Sequence, residues 1–222
     1  MKQINLSNKK IDLNKISAFD KTNITSRAGK PFCGLWFSPA IKDESSHLKS
    51  EWHNHIEFSW NKDKINKEYL TENNTTYITK LSLKENTQTL TVSELDYLFG
   101  ENASKNEIIN ELQLQNIENL VLKIDSQKDL DLITMNNPGW DDVPRKQHSK
   151  LWQYIAENFV GCEFSENLFK TVNRLDSNLV FILDVPSFVV FNNKGFNFET
   201  TEQKLIFNTF NIENNLEDEL TI

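Results

Sequence analysis

Residues 76–83 (TYITKLSL) alternate apolar and polar positions and carry β-branched side chains, which predicts a strand with one buried face. Short apolar runs predict further strands over 32–37, 88–92 (QTLTV), 120–124 (LVLKI) and 161–164 (GCEF). The run 179–192 (LVFILDVPSFVVFN) reads as two buried strands broken at Pro186, which cannot donate to a central ladder. Leu151, Trp152, Ile155 and Phe159 share one face of a helix over 149–159. Ile108, Ile109, Leu112 and Ile117 predict a helix over 105–118, and a short one runs from Asp125-Ser126 through Leu132. Ser93 is positioned to N-cap a helix after the 88–92 strand. In 51–60 (EWHNHIEFSW) the apolar positions fit both periods, and Trp52, Ile56 and Trp60 at i, i+4 and i+8 favour a helix. Residues 1–20 are partly ordered, with Ile4, Leu6, Ile11, Leu13 and Ile16 punctuating polar positions. Residues 21–30, 39–50 and 136–142 are polar or loop-like, and 204–210 is a last apolar piece.

Strands and helices interleave without a regular strand–helix repeat. The expected fold class is therefore α+β, a single domain over 1–222 with a mixed or split β-sheet and flanking helices. The 222-residue length suits one substantial domain, closed by an acidic tail over 212–222. A net charge of -8 and a pI near 5.1 disfavour general binding to a phosphate backbone, though not a local cation over one nucleotide. Cys33 and Cys162 both sit in apolar runs and read as free buried thiols. No apolar run approaches the ~20 residues of a membrane span, and the N-terminus lacks a signal-peptide core, so the expected location is cytoplasmic. Gly-rich phosphate loops, the dinucleotide glycine fingerprint, the nucleophile elbow and the HExxH zinc helix are absent from the sequence.

Three segments carry candidate chemistry. In KPFCGLWFSP (30–39) an apolar strand is entered through Gly34 and left through Ser38 and Pro39. Gly34 allows close backbone approach or relieves crowding, Trp36 offers an aromatic face, and Ser38 a hydroxyl at the strand's end. In 51–60, His53, His55 and Glu57 would share one face of a strand and suit a divalent metal. On a helix His53 and His55 diverge by roughly 200° and that site vanishes. Glu163 is a carboxylate inside a short apolar strand, either on an exposed edge or at a pocket rim.

The stretch GLWFS (34–38) resembles the glycine–aromatic–serine strand that lines the nicotinamide pocket of ADP-ribosyltransferases. With EWHNHIEFSW (51–60), IDSQKDL (124–130), WQYIAENFVGCE (152–163) and LDVPSFVVFN (183–192) it is similar to a group of uncharacterised bacteriophage proteins. The resemblance implies an ADP-ribosyltransferase-like fold, and NAD as substrate. It implies Glu163 as the catalytic carboxylate, with Gly34, Trp36 and Ser38 around the nicotinamide. Arg27, the nearest basic candidate, would hold a phosphate or ribose oxygen. ADP-ribose would pass to a macromolecular acceptor, a host protein or a nucleic acid, in the host cytoplasm if the protein is phage-encoded. The Gln/Glu-x-Glu pair of such enzymes is reduced to the single Glu163. The alternative is a non-enzymatic, phage-encoded binding or inhibitor protein acting on a host protein, and a metal-dependent cupin-like protein stands behind both.

Overall fold

The computed structural model describes residues 3–16, 34–42, 48–59, 62–95, 97–135, 145–171 and 185–204. It is α+β, with one mixed sheet and helices flanking it. The strands are β1 (Gln3–Ser7), β2 (Leu35–Lys42), β3 (Leu48–Ser50), β4 (Thr75–Leu83), β5 (Thr87–Thr91), β6 (Asn119–Ile124), β7 (Gly161–Phe164), β8 (Ser187–Val190) and β9 (Phe196–Lys204). The helices are α1 (Glu51–Ser59), α2 (Lys62–Tyr69), α3 (Val92–Leu95), α4 (Tyr97–Gly100), α5 (Lys105–Glu111), α6 (Gln127–Met135), α7 (Arg145–Asn158) and α8 (Glu166–Thr171). A 3-10 turn covers Leu13–Lys15.

The sheet order is β5-β6-β7-β8-β2-β1-β4-β9, with β3 paired to β2 off this path. β5, β6 and β7 are parallel, joined by helical crossovers, and every other pairing is antiparallel. On one face, Leu120, Leu122, Ile124, Cys162 and Val189 meet Ile108, Trp152 and Ile155 from the helices, and Phe159 just after α7, in the larger core. The other face carries Phe37, Leu81, Val121, Val160, Phe188, Val190 and Phe196. That second core exists because the sheet curls. Phe37 of β2 lies 6.3 Å from Phe198 of β9, although two strands intervene. At one end the outer strands come together: the carbonyl of Gly195 accepts from Lys84 N and from Thr87 Oγ1, both at 3.0 Å.

Several expectations shift. The N-terminal segment supplies β1, an interior strand, with Ile4 and Leu6 buried between polar neighbours. β2 continues through Pro39 to Lys42, and β3 follows in a stretch that reads as polar. α5 ends at Glu111 rather than 118, because the chain adopts left-handed φ at Gln113 and again at Asn116 (52° and 60°). The cap of α3 is Thr91 rather than Ser93: its hydroxyl accepts from Glu94 N, and the Glu94 carboxylate accepts from Thr91 N. Ser93 N instead donates to Asp129 at 2.8 Å. Residues 136–142, the 179–184 part of 179–192, the 205–210 part of the last apolar piece, and the acidic tail lie outside the described residues.

Asp129 is buried and accepts three hydrogen bonds, from Ser93 N, Asp125 N and Ser126 Oγ. It ties the start of α3 to the start of α6 at the carboxyl ends of β5 and β6. Asp129→Ala strands buried backbone donors and is expected to cost roughly 2–4 kcal/mol, read as a lowered urea midpoint. Asp129→Asn, which keeps one carbonyl acceptor, should recover part of that loss.

Candidate functional site

β1 and β2 form a fork. They pair only at Gln3↔Pro39 and Ile4↔Ser38. β1 then continues along β4 for five residues, while the start of β2 turns to β8 through Leu35, Trp36 and Phe37. Where the ladder between them fails, Asn5 Nδ2 donates to the carbonyl of Trp36 at 2.7 Å, so a side chain substitutes for a strand–strand bond. A cavity of about 320 Å³ opens at this fork. Its floor is Ile4, Asn5 and Leu6 of β1 with Trp36, Phe37 and Ser38 of β2. Its roof is Ser50, Trp52, His53 and Tyr69, and Val185 and Ser187 close one side.

Strand parity explains the presence of Trp36 and Ser38. Two residues apart on β2, both face the helix side of the sheet. Trp36 stacks against Phe164 of β7, ring centroids 6.4 Å apart and planes 16° from parallel. Ser38 Oγ accepts from Trp52 N at 3.4 Å, which places the start of α1 over the fork. The roof is held by its own network. Ser50 Oγ accepts from His53 N at 3.4 Å and also meets His53 Nδ1, an N-cap to third-residue contact. Trp52 Nε1 donates to Tyr69 OH at 3.0 Å, and His53 packs edge-on against Tyr69 at 4.8 Å. His53 is 2% exposed, and burial, helped by the nearby Lys49 charge, pushes its pKa down to about 3. The imidazole is therefore neutral at ordinary pH. Burial likewise raises the Tyr69 phenol. Among the described residues, none with a formal charge lines the cavity.

The other candidates fall elsewhere. Glu163 pairs in register with Phe188, which pairs with Phe37, so these three side chains share the face opposite Trp36, Ser38 and Cys162. The neighbour of Glu163, Phe164, is the residue that reaches Trp36. Phe37 reaches the cavity from that face, but Glu163 is not among the residues that line it. It lies half-buried beside Lys123, its partner on β6, and Lys123 binds Asp125 at 2.8 Å. Burial raises the Glu163 pKa, against the pull of Lys123. Gly34 does not line the cavity either. It lies against β8, where its lack of a side chain lets the two backbones approach. Arg27 and Cys33 lie outside the described residues, and Cys162 is a buried free thiol whose pKa burial raises well above the ordinary value.

The metal alternative needed 51–60 to be a strand. The segment is α1, which turns His53 inward and leaves His55 half-buried and stacked on Trp52 at 5.3 Å. Asn5, Ser50 and Tyr69 were absent from the sequence candidates. Of these only Ser50 carried a local signal, its three-residue spacing from His53 at a helix start.

No family model, curated protein or solved structure matches the chain. No helix among the described residues is long and apolar enough to cross a membrane.

Proposed function

We propose that the protein binds a small, planar ring in the fork cavity, and that this ring is the nicotinamide of NAD. The carrying observation is the joining of Trp36 and Ser38 with Asn5 and a neutral His53 around one cavity of about 320 Å³. Aromatic walls with a few polar groups and no formal charge suit a heteroaromatic ring with a polar edge. The parting of β1 from β2 opens the cavity within the one mixed sheet, beside the GLWFS strand that resembles the nicotinamide-lining strand of ADP-ribosyltransferases. Under this reading ADP-ribose passes to a macromolecular acceptor, a host protein or a nucleic acid.

The fit is to the ring and not to the bond-breaking step. A carboxylate that stabilises an oxocarbenium-like ribose must reach the ligand, and Glu163 is not among the residues that line the cavity. No step is assigned to it. The same separation favours a second reading, in which the protein binds its ligand or a host protein without turning anything over.

Titration of NAD and of nicotinamide, followed by tryptophan fluorescence, tests the binding. Trp36→Phe and Ser38→Ala are each expected to weaken it about tenfold. No saturable binding of either compound to the wild-type protein would end the nicotinamide reading. Nicotinamide release that survives Glu163→Gln supports transfer by another carboxylate. Release abolished by Glu163→Gln would contradict the two-faced arrangement. Binding without release supports the non-enzymatic reading.

A further inference from the structure

Asn5 has one half of its carboxamide committed and the other half idle. Nδ2 donates to the Trp36 carbonyl at 2.7 Å, across the gap where β1 and β2 part. Oδ1 is buried and accepts no hydrogen bond from any of the described residues. Rotating the amide does not help, because it would set Oδ1 against the Trp36 carbonyl and lose the only bond present. A buried acceptor without a partner is destabilising and uncommon in folded proteins. It lies on a residue that lines the cavity.

We propose that Asn5 is a specificity-determining residue of the fork cavity, whose idle carbonyl selects ligands that present an N–H donor, a primary carboxamide above all, and rejects the matching carboxylate. This rests on the reading of the cavity as a site for a planar ring. An amide N–H satisfies Oδ1. A carboxylate sets a second acceptor against it and carries a charge into a cavity that no described residue with a formal charge lines. Sites that hydrogen-bond a ligand N–H reject analogues lacking it strongly, because the site's own polar group is then left unpaired.

The test compares nicotinamide with nicotinate, and benzamide with benzoate, by ligand-observed NMR on the full chain. Each amide is expected to bind at least roughly tenfold more tightly than its acid. N,N-dimethylnicotinamide keeps the ring and the carbonyl but has no N–H, and should bind wild-type protein as weakly as nicotinate. Asn5→Leu should bring the amide-to-acid ratio close to one. If that variant does not fold, the dimethyl amide decides the question on the wild-type protein. Acids or the dimethyl amide binding as well as nicotinamide would overturn the role of Asn5 and leave the ligand site standing. Failure of every ring to bind would overturn the ligand site and this inference with it.

Discussion

Gly34→Ala is expected to destabilise the protein by roughly 2–5 kcal/mol, a large fraction of the ~5–15 kcal/mol that holds a domain folded. Two effects add. Gly34 has a φ of +93°, in the region where an L side chain is strained, at a cost of about 1–2 kcal/mol. A Cβ there would also stand 2.5 Å from the Val190 carbonyl oxygen and 2.7 Å from Val189 Cγ2. The first of these is backbone in an interior strand, so relief means moving β8 itself, at a further ~1–3 kcal/mol. Gly161 of β7 meets β8 from its other side, its virtual Cβ 2.7 Å from the Val189 carbonyl. β8 is thus held between two strands that approach closely through glycines. Chemical denaturation followed by far-UV circular dichroism measures the loss. An alanine variant with an unchanged midpoint would mean that β2 does not meet β8 in this way.

The same residue shows what a sequence can and cannot disclose. A glycine opening an apolar strand announces a close approach, but the partner depends on register between strands some 150 residues apart, which no local pattern contains. Trp36 and Ser38 were legible as a pair because parity within one strand is local. Their relation to Glu163 was not, since it passes through β8. β7 and α7 were legible from dense apolar periodicity. β9, FNFETTEQK, was not, because its pairing with β4 relies on cross-strand polar contacts: Thr79 with Thr200 at 3.1 Å, Lys80 with Glu199 at 3.4 Å, and Thr75 with Glu202. Such a strand looks like a loop until its partner is known. Asn5 likewise reads as the polar half of an alternation, and only the fork gives its amide a task.

Lowering the pH from 6.5 is expected to destabilise the fold by close to 1.4 kcal/mol per pH unit on account of His53 alone, reaching roughly 4–5 kcal/mol near pH 3. The folded protein holds this imidazole neutral down to about pH 3, whereas the unfolded chain protonates it near 6.5. Between those values the unfolded state binds the extra proton, so stability falls as pH falls and is fully present only above 6.5. Glu51 and Glu163 act in the opposite direction. Their folded pKa values are raised by burial, so the folded state takes up their protons first and gains stability on acidification. Asp125, whose pKa is lowered by Lys123 and its hydrogen bonds despite partial burial, adds a loss only below its unfolded value near 4. The window from pH 6.5 to 5 therefore isolates the imidazole best. Urea unfolding at half-unit intervals across that window, for wild type and His53→Gln, reads the slope directly. The wild-type slope should approach one proton and the variant slope should be nearly flat, even if the variant is less stable at pH 7. Parallel slopes would mean that His53 titrates normally in the folded state, and so is not sealed beneath α1 against Ser50 and Tyr69. The cavity would then present a cation at mildly acidic pH, and its rejection of carboxylates would fade below pH 6.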